Sequence, residues 1–255
     1  MQAELPRPRS AALLVLLLAL GVAAAAGFVA LGVWQVQRLA WKQALIARVD
    51  QRLAAAPVPA PDPAHAAGLT HESAEYLRVH ARGRFDFSRQ TLVRALTDLG
   101  GGFWVLAPLQ REDGSWVLVN RGFVPPELRD NVPAGSELQD VVGLLRITEP
   151  GGSVLQHNDP AQGRWYSRDV AAIATARQLQ GPVAPYFIDA QATGPTTGWP
   201  RAGLTVVRFP NSHLGYALTW FALAGGTVAA LGYLVLDDRR QRRLAGTSAL
   251  AQRSP

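Results

Sequence analysis

AALLVLLLALGVAAAAGFVALGV (residues 11–33) and LGYALTWFALAGGTVAALGYLVL (residues 214–236) decide the architecture, because each runs 23 residues without an Asp, Glu, Lys or Arg. At a rise of about 1.5 Å per residue, a helix of either stretch crosses a hydrocarbon core about 30 Å thick. The first stretch admits a second reading. Arg7 and Arg9, an apolar run from Leu13 to Leu20 and the alanines Ala23 to Ala26 also resemble a signal peptide with a small-residue cleavage site. The run continues through Gly27 to Leu31, however, which makes a full span. In the second stretch Gly225 and Gly226 offer a small face for packing on the glycines and alanines of the first.

Charge sets the expected orientation. Arg239, Arg240, Arg242, Arg243 and Arg253 follow the second span, whereas only Arg201 and Arg208 lie in the 20 residues before it. The positive-inside rule then puts the C-terminus in the cytoplasm, two spans put the N-terminus there too, and the central domain faces the periplasm of an inner-membrane protein. Residues 34–213 hold 18 basic and 16 acidic side chains, so they carry only +2 of the net +6. The basic balance is a membrane signature, and no basic patch with interleaved aromatics points to nucleic acid. With no cysteine, disulfides and thiolate chemistry are excluded, and the central domain must hold together by core burial.

The expected organisation is a cytoplasmic tail (1–10), a first span (11–33), an amphipathic helical extension (34–56), a proline-rich linker (57–72), a β-rich domain (73–212), a second span (213–236) and a basic tail (237–255). Pro57, Pro59, Pro61 and Pro63 fall in seven residues and predict extended chain. Leu77 to Phe85 alternates apolar and polar residues as a half-solvated strand does. Residues 102–109 and 116–123 flank Asp113-Gly114 and predict a hairpin. Further strands are expected at 91–96, 141–147, 186–189 and 204–209, and a helix at 169–179 capped by Ser167 or Asp169. The fold class is thus two transmembrane α-helices flanking an α+β, predominantly antiparallel extracytoplasmic domain, barrel- or sandwich-like.

No nucleophile elbow, phosphate loop, dinucleotide fingerprint or metalloprotease helix is present. Of five histidines, His65 and His71 sit in or beside the linker, His80 within a strand and His157 in a turn. His213 stands apart because it opens the second span, and Tyr216 and Trp220 share its helix face. Two readings stay open: an interfacial aromatic belt, or a ligand site in which the imidazole binds haem iron and the rings cover a porphyrin. Trp34, Arg38 and Trp41 form a similar face beyond the first span, where Arg38 pairs either with a haem propionate or with a lipid phosphate. Arg121, Arg168 and Asp169 read as a structural ion pair more readily than as an enzyme site.

Five segments in order resemble motifs of the surfeit locus family of cytochrome c oxidase assembly factors: GVWQVQRLAWK (32–42), GRF (83–85), LVNRGFVP (118–125), WYSRD (165–169) and NSHLGYALTWF (211–221). Phe209-Pro210 departs from the shorter polar join of some relatives. The resemblance implies an inner-membrane, non-enzymatic protein that promotes maturation of the haem a-bearing oxidase subunit. It implies haem a as a transient ligand, with His213 at the position of the implicated histidine; on that reading Tyr216, Trp220, Trp34 and Trp41 are expected to shield the macrocycle and Arg38 to take a propionate. Its implied partners are that oxidase subunit, haem a synthase and the lipid bilayer. The alternative is a haem-independent scaffold for the same subunit.

Overall fold

The computed structural model describes residues 10–153, 155–192, 198–205, 207 and 209–251, with side chains to residue 244 in the last helix. In chain order the elements are α1 (Ala11–Ala54), β1 (Val58–Pro59), α2 (His71–Ala74), β2 (Arg78–Phe85), β3 (Thr91–Thr97), β4 (Gly100–Arg111), β5 (Trp116–Val124), β6 (Leu138–Ile147), α3 (Val170–Ala176), β7 (Val183–Ala190) and α4 (His213–Ala251). They form two compact units, residues 1–46 with 209–255, and residues 47–208.

The first unit pairs the apolar length of α1 with α4. Both helices are long and apolar enough to cross a membrane, with mean hydropathies of 2.7 and 1.6 over their most apolar windows. Their register is antiparallel: Gly21 lies against Leu231, Gly32 against Phe221, and Gln35 bonds His213. Ala25, Ala217 and Ala224 are buried along the same seam. Small residues let two backbones approach where lipid supplies no hydrophobic drive between helices. The expected small face at Gly225 and Gly226 is not part of this seam, since a side chain at either would meet nothing within 4 Å. The residue just before them, Ala224, takes that place.

The second unit is one seven-stranded sheet in the order β1-β2-β6-β7-β5-β4-β3, closed by an additional β2–β4 pairing. Five strands, β2, β6, β7, β5 and β4, thereby make a barrel, with β3 extending β4 and β1 lying parallel to β2. All ring pairings are antiparallel except β5–β7. Closure passes through Gly83–Phe85 against Leu109–Arg111. A Cβ at Gly83 would stand 2.2 Å from the Gln110 carbonyl, so only glycine lets the two strands meet there. The Asp113-Gly114 turn joins β4 to β5, with Gly114 at φ +79°.

β5 is buried on both sides, and its near-continuous apolar run reflects that. Val117 and Val119 enter the barrel with Val79, Phe85, Leu109, Tyr186 and Ile188. Leu118 points outward into a second cluster with Phe187, Val93, Trp165 and, from α3, Val170 and Ile173. Asp169 caps α3 by accepting from the Ala172 amide at 3.1 Å, one of the two expected caps.

Of the strand expected at 204–209, residues 204, 205, 207 and 209 are not in strand, and 206 and 208 lie outside the described residues. β7 already has β5 and β6 on its two edges, so no ladder is open to the returning chain. It makes single contacts instead, through an isolated bridge from Arg201 to Phe123 and the Gly203 amide on the Ala190 carbonyl.

The proline-rich segment is extended, and it is tied to the barrel. Arg111 donates to the carbonyls of Ala60 and Pro61 at 2.8 and 2.9 Å, and the Tyr186 hydroxyl donates to Pro61 at 2.5 Å. Burial pushes the Tyr186 phenol up to about 12. Because that value lies above the unfolded one, the stability it contributes is fully present below about pH 10 and lost as pH rises through 12. Tyr186→Phe is expected to cost about 1–2 kcal/mol at neutral pH and to flatten the alkaline decline between about pH 10 and 12, read from thermal melts across that range.

Candidate functional site

The seam of the first unit ends in a polar pair. His213 is the first residue of α4, and its Nδ1 lies 2.7 Å from Oε1 of Gln35, which is 8% exposed among apolar neighbours. An amide oxygen only accepts, so Nδ1 carries the proton and donates. In the neutral ring the other nitrogen, Nε2, then has the lone pair, and no described residue hydrogen-bonds it. Histidines that bind metals are commonly held this way, with one nitrogen fixed by an acceptor and the other presented to the metal.

The remaining candidates fall around this pair in different settings. Trp220, two turns along α4, stacks on Phe28 with ring centroids 5.8 Å apart. Tyr216 is 56% exposed, on a flank of the helix and off the seam. On α1, Trp34 and Trp41 are about half exposed, and the Arg38 guanidinium lies 4.8 Å from the centre of the Trp41 ring. Arg38 and Trp41 lie about 4.5 and 9 Å along the α1 axis from Gln35, at 1.5 Å per residue. Lys42 approaches the Phe209 ring at 5.2 Å.

Together these residues offer one fixed imidazole with an open nitrogen, exposed flat aromatics and a guanidinium. That donor set suits a planar, largely apolar, metal-bearing ligand with anionic groups. Gln35 escapes sequence reading. An isolated glutamine near the end of an apolar helix gains a partner only once residues 178 positions apart are placed side by side. Its one signal is spacing, for Gly21, Ala25, Phe28, Gly32 and Gln35 recur at three and four residues along the buried stripe.

In the barrel, charged side chains serve the fold. Asp189, 3% exposed, accepts from Arg146 at 2.7 Å, Asn120 at 2.8 Å and Thr205 at 3.0 Å. Arg146 also donates to Glu75 at 2.6 Å, and Arg168 grips Glu149 through two bonds of 2.5 and 3.0 Å. Burial alone would raise the Glu149 carboxyl, but the bonds and charge of Arg168 with the charge of Arg146 hold it below the usual carboxylate range. A cleft of about 870 Å³ opens beside this network. Arg121, Arg168 and Asp169 do not converge: Arg121 donates to the Pro133 carbonyl over the Phe87 ring, and Asp169 caps α3. The other histidines meet separate partners, Asp62 for His65, Glu75 for His71, Asp140 for His80 and the Gly151 carbonyl for His157. Among the described residues no three His, Cys, Asp or Glu side chains converge as a metal site.

The chain matches the SURF1 family model over residues 22–225. It is 37% identical over 219 residues to Surfeit locus protein 1 of Rattus norvegicus, covering 77% of this chain and 68% of that one. The Homo sapiens protein of the same name is 36% identical over 220 residues (77% and 70%), and that of Takifugu rubripes 33% over 220 residues (77% and 88%).

Proposed function

The chain belongs to the SURF1 family, and from that premise we propose that it is a membrane-bound assembly factor of cytochrome c oxidase that carries haem a to the haem-bearing subunit. His213 holds the haem iron through Nε2. Trp34, Trp41 and Tyr216 cover the macrocycle, Trp220 backs the site from its stack on Phe28, and Arg38 takes a propionate. Both termini lie in the cytoplasm, the barrel in the periplasm, and the cargo is received from haem a synthase at the outer boundary of the inner membrane. The role is that of a carrier and not of a catalyst. A haem held by the His213 imidazole alone among the described residues would be bound loosely enough to leave again.

The observation that supports this reading is the Gln35–His213 bond, since a membrane belt needs no fixed tautomer. The test is co-expression with the haem a biosynthetic enzymes and spectroscopy of the purified full chain. Wild type should carry haem a pigment. Gln35→Leu should weaken its retention by about 10- to 100-fold, the usual effect of removing the group that orients a ligating histidine. Colourless wild-type protein that still supports oxidase maturation would replace the carrier with a haem-independent scaffold.

A further inference from the structure

The barrel unit carries a pocket that plays no part in the helix-pair site. It measures about 300 Å³ and is lined by residues of β3 and β4, the turn after β5, the Gly163–Trp165 loop and the end of α3. Four arginines line it. Arg164 is paired with Asp159 at 2.8 Å. Arg94, Arg129 and Arg177 have no carboxylate within ion-pair distance among the described residues; Arg94 and Arg129 are exposed and Arg177 is half-buried. Two of them rest on aromatic faces, Arg94 over Tyr166 at 5.8 Å and Arg129 over Phe103 at 5.5 Å. Arg177 is anchored by its Nε on the Thr91 hydroxyl at 2.7 Å, and burial pushes its guanidinium below the usual value with no acid to offset it.

Trp165 closes the wall of the pocket, with its side chain 2% exposed. Its unbonded Nε1 and the unbonded Oε1 of Gln90 are sealed from solvent, so neither faces a ligand in the pocket. A ligand that accepts several hydrogen bonds and brings negative charge satisfies the three unpaired arginines together.

We propose that this pocket binds a phosphoryl group, supplied by free phosphate or by the headgroup of an anionic phospholipid. The arginines come from β3, the turn after β5, the Gly163–Trp165 loop and the end of α3, and a phosphoryl group has oxygens enough to accept from several guanidiniums at once. The volume sits at the small end of ligand pockets, room for a phosphate and a short substituent.

The test uses the full chain in an uncharged detergent, titrated calorimetrically and by thermal shift. The probes are sodium phosphate and dihexanoyl phosphatidic acid, with sodium chloride at equal ionic strength as the control. Saturable binding and stabilisation are expected with a phosphoryl probe and not with chloride. Arg177→Gln and Arg94→Gln should each weaken binding about tenfold or more. Response to both probes identifies the phosphoryl group itself. Response to phosphatidic acid alone identifies a lipid as the source, and response to phosphate alone a soluble anion. Saturation by neither probe overturns the proposal, as does an undiminished response in Arg94→Gln, whose exposed side chain makes misfolding a poor explanation.

Discussion

Purified from cells that make haem a, His213→Ala is expected to emerge without the pigment of the wild-type chain, a loss of at least about 100-fold in retained haem. The imidazole supplies the one bond to iron in the proposed site, whereas the aromatics and Arg38 supply only stacking and charge. Each of those is worth a fraction of a coordinate bond near a wet boundary. The fold should survive. His213 is half-buried at the first turn of α4, and its loss leaves one amide oxygen unbonded while the small-residue seam from Gly21 to Gly32 stays intact. Thermal melts of the variant should therefore lie close to wild type while the spectrum disappears. Pigment retained unchanged in His213→Ala would remove this histidine from the site, and a collapsed melt would assign it to structure.

Asp189→Ala should be the most destabilising single change in the barrel, at about 3–5 kcal/mol. The carboxylate is 3% exposed and gathers three elements: Arg146 of β6, Asn120 of β5 and Thr205 of the returning chain. Its removal leaves Arg146, 13% exposed, with one strong partner in place of two. Arg168, 15% exposed, loses an attractive charge at 3.6 Å. Both guanidiniums also lie over the ring of Phe187, which gives them little water to fall back on. Asp189→Asn preserves the shape and part of the bonding but not the charge, and should fall between. Denaturant titration of the full chain in detergent measures both; a loss below about 1 kcal/mol in the alanine variant would mean that the network is more solvated than its geometry implies.

Local pattern and distant pairing divide what was legible in the residues. The two spans, the Asp113-Gly114 hairpin, the alternation of β2 and the Asp169 cap are written in runs of a few residues, and the structure follows them closely. A β-rich domain of barrel or sandwich form was likewise within reach, and the choice of barrel rests on Gly83, whose need for close approach shows only when Gln110 is across from it. The 204–209 segment has the composition of a strand, yet the edges of β7 were already taken, a fact of topology and not of propensity. The proline stretch reads locally as free linker, but its partners Arg111 and Tyr186 lie 50 and 125 residues on. The candidate site divides in the same way. His213, Trp34, Arg38 and Trp41 stand out by residue type at a helix end, whereas Gln35 and the arginine pocket around Trp165 arise only from three-dimensional juxtaposition.

The central place of β7 has a consequence for biosynthesis. It is the last strand among the described residues but sits between β6 and β5 in the ring, so the cylinder stays open, with unpaired strand edges, until residue 190 has left the ribosome. Only residues 191–212 then separate that moment from the start of the second apolar helix. Completion of the ring and arrival of the second helix at the membrane therefore fall almost together during translation. An edge-binding chaperone has its longest opportunity just before that point.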